Sequence, residues 1–175
     1  MRKLLVLSKV GTVALYHGTT KLNADSIKAN GLKATKEKNY SDLFYSDAGR
    51  KGSVYLVANL PEALSWAMLG YWEKVASSGS SSAYRKSLNL CAKAVYAVVE
   101  FDVPKAALIK DERNPLDEGT VRTKPLPKTA VKNITYYTWP EANKVLRKAG
   151  YKRNKLSRWP ADSIDRQYKL LQEKK

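Results

Sequence analysis

Between Lys93 and Val103 the chain alternates in the period-two manner of a strand. Val95, Ala97, Val99, Phe101 and Val103 fall on one face, and Tyr96, Val98, Glu100 and Asp102 on the other. The second face is only partly polar, as expected of a strand near the centre of a sheet, and Pro104 ends the run. A chain with such a strand must supply neighbours to pair with it and apolar elements to cover it. The rest of the sequence offers both, as short strands alternating with short helices.

The helical signals are local and chemical. Asn23 is placed to cap a helix from about Ala24 to Asn30, with Asp25 in its first turn, an apolar side of Ala24, Ile27 and Leu32, and Gly31 as the terminating glycine. A second helix is better marked. Asn59 and Glu62 have capping-box spacing, Pro61 stands in the first turn, and Leu60, Ala63, Leu64, Ala67 and Tyr71 form one stripe. Trp66 lies about 100° off the centre of that stripe, where an indole can line a cleft or pack against a neighbouring loop. The serine-rich run from Ser77 to Ser82 reads as a flexible loop. Further strands are expected at Ser53–Val57, Thr120–Thr123 and Ile134–Thr138, a charged, turn-rich stretch at Lys110–Gly119, and helices at Glu141–Lys148 and Ala161–Glu173.

At 175 residues the chain suits one domain with one core, and its 43% hydrophobic content suits a globular protein rather than a disordered one. A lone cysteine, Cys91, and a lone histidine, His17, leave no internal disulfide framework and no Cys/His cluster for zinc or iron–sulfur chemistry. The apolar run Leu4–Leu7 is broken at Lys9 before it reaches signal-peptide length, and no stretch approaches a membrane span, so a cytoplasmic protein is expected. No glycine-rich phosphate loop of the Rossmann or Walker kind is present.

Charge is the strongest compositional departure. Against 16 acidic side chains stand 32 basic ones, a net +16. From Glu141 onward eleven Lys or Arg face four Asp or Glu, among them Lys152, Arg153, Lys155 and Arg158, the candidate polyanion-binding set. Such a field attracts polyanions, whether nucleic acid, an acidic protein or an acidic membrane surface. It does not distinguish between them.

The segment Leu15-Tyr16-His17-Gly18-Thr19-Thr20, a helix running out at Asn30-Gly31-Leu32, then Val54-Tyr55-Leu56-Val57 leading into the Asn59 helix, together resemble the ADP-ribosyltransferase fold. The similarity is to its poly(ADP-ribose)-polymerase-like branch, with the His–Tyr–Glu type of active site. It covers roughly residues 14–138, with its strong motifs in the first half. Tyr55 and Trp66 stand at the spacing of the two aromatics of that family, which usually has Tyr at the second. The resemblance implies an α+β fold of split, mostly antiparallel sheets flanked by short helices, with NAD⁺ held in the cleft between them. It divides the chain into a transferase-like domain, 1–138, and a basic helical C-terminal segment, 139–175, packed on or appended to it.

The same resemblance implies roles. His17 would hydrogen-bond the adenine-side ribose, Gly18 would bond the nicotinamide amide through its backbone, and Thr19 completes this part of the cofactor-binding set. Tyr55 would stack on the nicotinamide ring, with Trp66 closing the other side. The third catalytic position falls on Glu118, within Asp117-Glu118-Gly119-Thr120-Val121-Arg122, or on Thr120 in the other alignment. With Thr120 there, activity would be limited to single transfers or absent. The ordinary alternative for Asp117 and Glu118 is a solvated turn. Glu100 is the next carboxylate, for which an ion pair with a lysine is the ordinary explanation.

The implied activity is cleavage of NAD⁺ and transfer of one ADP-ribose to a macromolecular acceptor, nucleic acid or a protein associated with it, by a monomer that needs no metal. Small transferases of this kind occur among bacterial toxins and phage proteins. Two alternatives stay open. NAD-dependent tRNA 2′-phosphotransferases share the Tyr-His-Gly-Thr strand but rely on a further histidine that this chain lacks. A non-catalytic relative could bind nucleic acid, with Tyr136, Tyr137, Trp139, Tyr151 and Trp159 stacking on bases.

Overall fold

The computed structural model describes residues 11–34, 54–76, 80–109, 120–151 and 160–173. They form a mixed α+β fold built on one antiparallel sheet. The strands are β1 (Thr12–Thr20), β2 (Val54–Val57), β3 (Tyr96–Pro104), β4 (Leu108–Ile109), β5 (Thr120–Thr123) and β6 (Val131–Tyr137). The helices are α1 (Lys21–Asn30), α2 (Leu60–Val75), α3 (Ser81–Lys93), α4 (Trp139–Lys148) and α5 (Ala161–Gln172).

The order across the sheet is β4-β5-β2-β1-β3-β6. β1 pairs with β3 along its whole length, from Thr12↔Pro104 to Thr20↔Tyr96, but with β2 only at Tyr16↔Val57. The sheet is therefore joined at one point between two better-paired halves, β4-β5-β2 and β1-β3-β6. That point is the last residue of β2, and the earlier residues of β2 make no further register pair with β1.

Alternation assigns the two faces. Leu15, Val54, Leu56, Ala97, Val99, Phe101 and Val103 share one core with Ala24 and Ile27 of α1. Val57, Tyr96 and Val98 share the other with Ala63, Leu64, Ala67, Met68 and Trp72 of α2, Leu88 and Cys91 of α3, Trp139 and Leu146 of α4, and Ile164 of α5. Apolar residues on both faces of β3 are thus used, which is why its sequence pattern is only half polar. Helices α4 and α5 share a core with the residues that precede them, through Trp139, which is fully buried against Tyr96.

Several local expectations hold. Asn59 caps α2 by accepting from the Glu62 N–H at 2.9 Å, while its own amide donates to the Glu62 carboxylate at 3.0 Å. Gly31 ends α1 at φ +78°, ψ 173°, a region open essentially to glycine alone, and its N–H donates to Ile27 O. A Cβ there would also meet Leu126 O at 2.3 Å, where Leu32 and Leu126 exchange backbone hydrogen bonds.

Other boundaries differ. α1 starts at Lys21, immediately after β1, rather than being capped by Asn23. The Lys21 N–H is taken by Val95 O, and Asp25, now in the second turn, pairs with Lys21 at 2.7 Å and accepts from the Tyr136 hydroxyl at 2.7 Å. The serine run is not all loop. Ser80 caps α3, a helix absent from the sequence expectation, and Ser81 and Ser82 form its first turn. Serine competes poorly inside a helix but well at its start, so a polar run can open a helix as readily as separate two. α3 occupies residues up to Lys93, which shortens the central strand at its beginning to Tyr96.

The Trp139 indole N–H is held inside the fold by Asp165 of α5 at 2.6 Å, and the same carboxylate accepts from Asn143 at 2.9 Å and Arg147 at 3.2 Å. Substituting Asp165 by Ala leaves that buried donor without this acceptor, so we expect a loss of about 1–3 kcal/mol. Urea unfolding of the two proteins measures it, and an unchanged midpoint would remove Asp165 from its role in joining α4 to α5.

Candidate functional site

The parting of β1 from β2 is where the sequence-derived site residues gather. His17 follows Tyr16, the residue of β1 that pairs with β2. By alternation its side chain shares a face with Leu15 and Val99, the α1 side, whereas Tyr55 shares a face with Val57, the α2 side. The two residues nevertheless meet. The His17 Nδ1–H donates to the Tyr55 carbonyl at 3.2 Å, so the ring reaches from one half of the sheet to the backbone of the other.

That bond fixes the chemistry of the imidazole. Burial lowers the His17 pKa below its ordinary value, outweighing the opposite effect of the bond to Tyr55 O. With Nδ1 carrying the proton, a neutral ring presents Nε2 as an acceptor. A hydroxyl can donate to it; a phosphate oxygen cannot.

Gly18 has a structural reason to be glycine that the sequence did not reveal. A Cβ there would lie 1.6 Å from Ala63 O and 3.0 Å from Ala67 N. The α2 backbone rests directly on β1, and Ala63, fully buried, and Ala67 keep the helix side of the contact small. The glycine thus serves helix–strand packing on the side where its missing side chain would point. The backbone bond to the nicotinamide amide implied for Gly18 concerns the edge of the strand, a different direction. Along 17–20, β1 is paired with β3 but not with β2. Backbone groups on its β2-facing edge are outside that pairing.

The remaining residues are distributed as follows. Thr19 is buried opposite Ala97, which leaves its backbone rather than its hydroxyl at the strand edge. Trp66 is half-buried and packs against the α2-side core, one residue before Ala67. β5 begins at Thr120, whose register partner is Val57, the residue of β2 that also pairs with Tyr16. Glu118, and likewise Lys152, Arg153, Lys155, Arg158 and Trp159, lie outside the described residues. Glu100 is engaged by Lys132 at 3.2 Å, and Asp102 by the same ammonium at 3.7 Å, which accounts for both carboxylates as ion-pair partners.

One reading needs correction. Trp139 cannot stack on a base, being fully buried with its N–H bonded to Asp165. Tyr136 is exposed but committed to Asp25 through its hydroxyl, with the Lys21 ammonium 5.0 Å from its ring centre. Cys91 is buried, and burial pushes its thiol up to about 12, so it is no nucleophile. Among the described residues no cluster of His, Cys, Asp and Glu could hold a metal ion, and no helix is long and apolar enough to cross a membrane.

Sequence reasoning missed the Ala63–Ala67 pair as part of the site. Its signal was present: two alanines one turn apart in a helix, and one glycine in a strand. No protein-family model matches the chain, and no curated protein matches it either, so residues and geometry carry the functional reading.

Two measurements check this site. The single histidine gives a single imidazole titration by NMR, and its midpoint should lie below the ordinary value of about 6.5. Because the folded pKa is the lower one, the unfolded chain binds more protons between the two values. His17 therefore contributes nothing to pH dependence above about 6.5, and stability falls as pH drops from there towards the folded-state pKa. Gly18→Ala should cost at least about 1–3 kcal/mol, since neither the Ala63 carbonyl nor the strand can yield without moving an element. A variant with wild-type stability would show that α2 does not rest on β1 at this point.

Proposed function

We propose that this protein is an NAD-dependent mono-ADP-ribosyltransferase acting on a macromolecular acceptor, with its substrate cleft at the parting of β1 and β2. The observation that carries the reading is the His17–Tyr55 contact. Two residues 38 apart in sequence, each expected at an NAD⁺ site from the resemblance of its own strand, are joined across the one-point seam. The divided antiparallel sheet and the α2 helix seated on Gly18 support the same reading.

The chemistry asks for grip and charge stabilisation more than for a strong nucleophile. Breaking the bond between nicotinamide and the ribose C1 sends the bonding electron pair to the departing ring, which leaves neutral, and puts developing positive charge on the sugar. The acceptor then bonds to C1 and gives up a proton. A neutral His17 can take a hydrogen bond from a ribose hydroxyl at Nε2. Tyr55 and Trp66, from β2 and the α2 face, would enclose the nicotinamide, and backbone groups along 17–20 would bind its amide. Glu118 would bond the hydroxyl beside the reacting carbon and stabilise the charge that forms there. Net charge of +16 favours a nucleic acid, or a protein associated with one, as acceptor.

Incubation with labelled NAD⁺ and a cell lysate, followed by nuclease or protease digestion, tests this directly. Label should become fixed by the wild type, and the digestion that releases it identifies the acceptor class. His17→Ala and Glu118→Gln should each lower transfer on the order of 100-fold, the scale expected for losing one preorganised group at a reacting centre. Absence of transfer by the wild type, with intact salt-sensitive binding to nucleic acid, would replace this function with a non-catalytic one.

A further inference from the structure

Away from the seam, α3 and α5 lie side by side and enclose an open groove of about 500 Å³. α5 packs chiefly on α3 and α4, so the groove belongs to the outer helical layer. Its apolar surface comes from Leu88 of α3 and Leu170 and Leu171 of α5, and its charges are Arg85 and Arg166. Leu88 is buried, Leu171 is partly buried against the core, and Leu170 is 48% exposed.

The two arginines are available. Neither is ion-paired with another described residue, whereas the neighbouring Arg147 is held by Asp165 at 3.2 Å. Asp165 turns its carboxylate towards α4, where it takes three hydrogen bonds, and among the described residues no carboxylate lines the groove. The α5 side of the groove repeats at helical spacing, Arg166 and Gln167 and then Leu170 and Leu171, following Ser163. From Ser163 to Leu170 it runs roughly 10 Å at about 1.5 Å per residue, two helical turns.

We infer that this groove docks an acidic amphipathic helix of a partner protein. Leucine-type side chains on one face of that helix would cover Leu88, Leu170 and Leu171, while flanking Asp or Glu would pair with Arg85 and Arg166. Charge complementarity selects this occupant. Guanidinium groups flanking an apolar floor favour carboxylates held beside apolar residues, and the net charge of +16 repels a second copy of this chain. Nucleic acid would be drawn by the same charge but has no use for a leucine floor. Binding here needs no NAD⁺, so it stands or falls separately from the transferase reading.

The test is fluorescence anisotropy with the full chain and a labelled synthetic helix carrying leucines at i, i+3, i+4 and i+7 and glutamates elsewhere. A peptide of the same composition with scrambled order and a labelled single-stranded oligonucleotide serve as comparisons. Saturable binding of the patterned helix should weaken by about tenfold or more in Arg85→Glu/Arg166→Glu and in Leu170→Asp. Lys28→Glu/Lys33→Glu, which removes the same charge from α1 and the residues after it, should change binding less than about threefold by screening. Circular dichroism confirms that each variant is folded. Equal binding of the scrambled peptide, equal losses in the two charge-reversed pairs, no binding of the patterned helix, or an oligonucleotide that binds through Arg85 and Arg166 would each overturn the proposal.

Discussion

A helix backbone can rest on a strand only where the strand has no side chain, and Gly18 provides that place. Ala63 O lies where a Cβ of Gly18 would be, which brings α2 down onto β1 and with it the cap at Asn59, the end of β2 and Trp66. Any larger residue would lift the helix and open the core formed by Leu64, Ala67 and Met68. The distance between β1 and the helix following β2 is thus set by one absent methyl group. The geometry of the seam depends on it.

From that contact the rest of the site follows in order. β1 is locked along one edge to β3 and touched by β2 at one pair on the other. His17 spans the resulting gap to Tyr55 O, which fixes its tautomer, while burial keeps it neutral. A site of this kind binds by presenting acceptors, ring faces and strand-edge backbone groups. Under the proposed function, cleavage would draw on orientation and charge stabilisation, since Cys91 is buried with its thiol pushed up and Glu100 and Asp102 are held by Lys132.

Basic charge has more than one use in the fold. Lys21 pairs with Asp25 within α1 and lies over the Tyr136 ring of β6, Lys132 links β6 to Glu100 and Asp102 of β3, and Arg147 joins α4 to α5. These exposed pairs are individually weak. Among the described residues they leave other cations without such pairs, including Arg85 and Arg166 on the outer helical layer. The aromatic residues expected among the basic ones are divided the same way, with Trp139 turned inward and Tyr136 kept at the surface by its bond to Asp25.

Sequence alone determined the elements whose causes are local. Alternation marked β3, a capping pair and a proline marked the start of α2, and a glycine marked the end of α1, because each signal is contained within a few bonded neighbours. It also brought His17 and Tyr55 to notice through the motifs around them. Tertiary structure decided everything that depends on what lies across the sheet. It made residues 80–82 the start of a helix, since the apolar face of α3 could be buried against the α2-side core, and it buried Trp139. It gave Gly18 its packing role, and it parted β1 from β2. Those outcomes are set by contacts between segments far apart in the chain, and no window of neighbouring residues contains them.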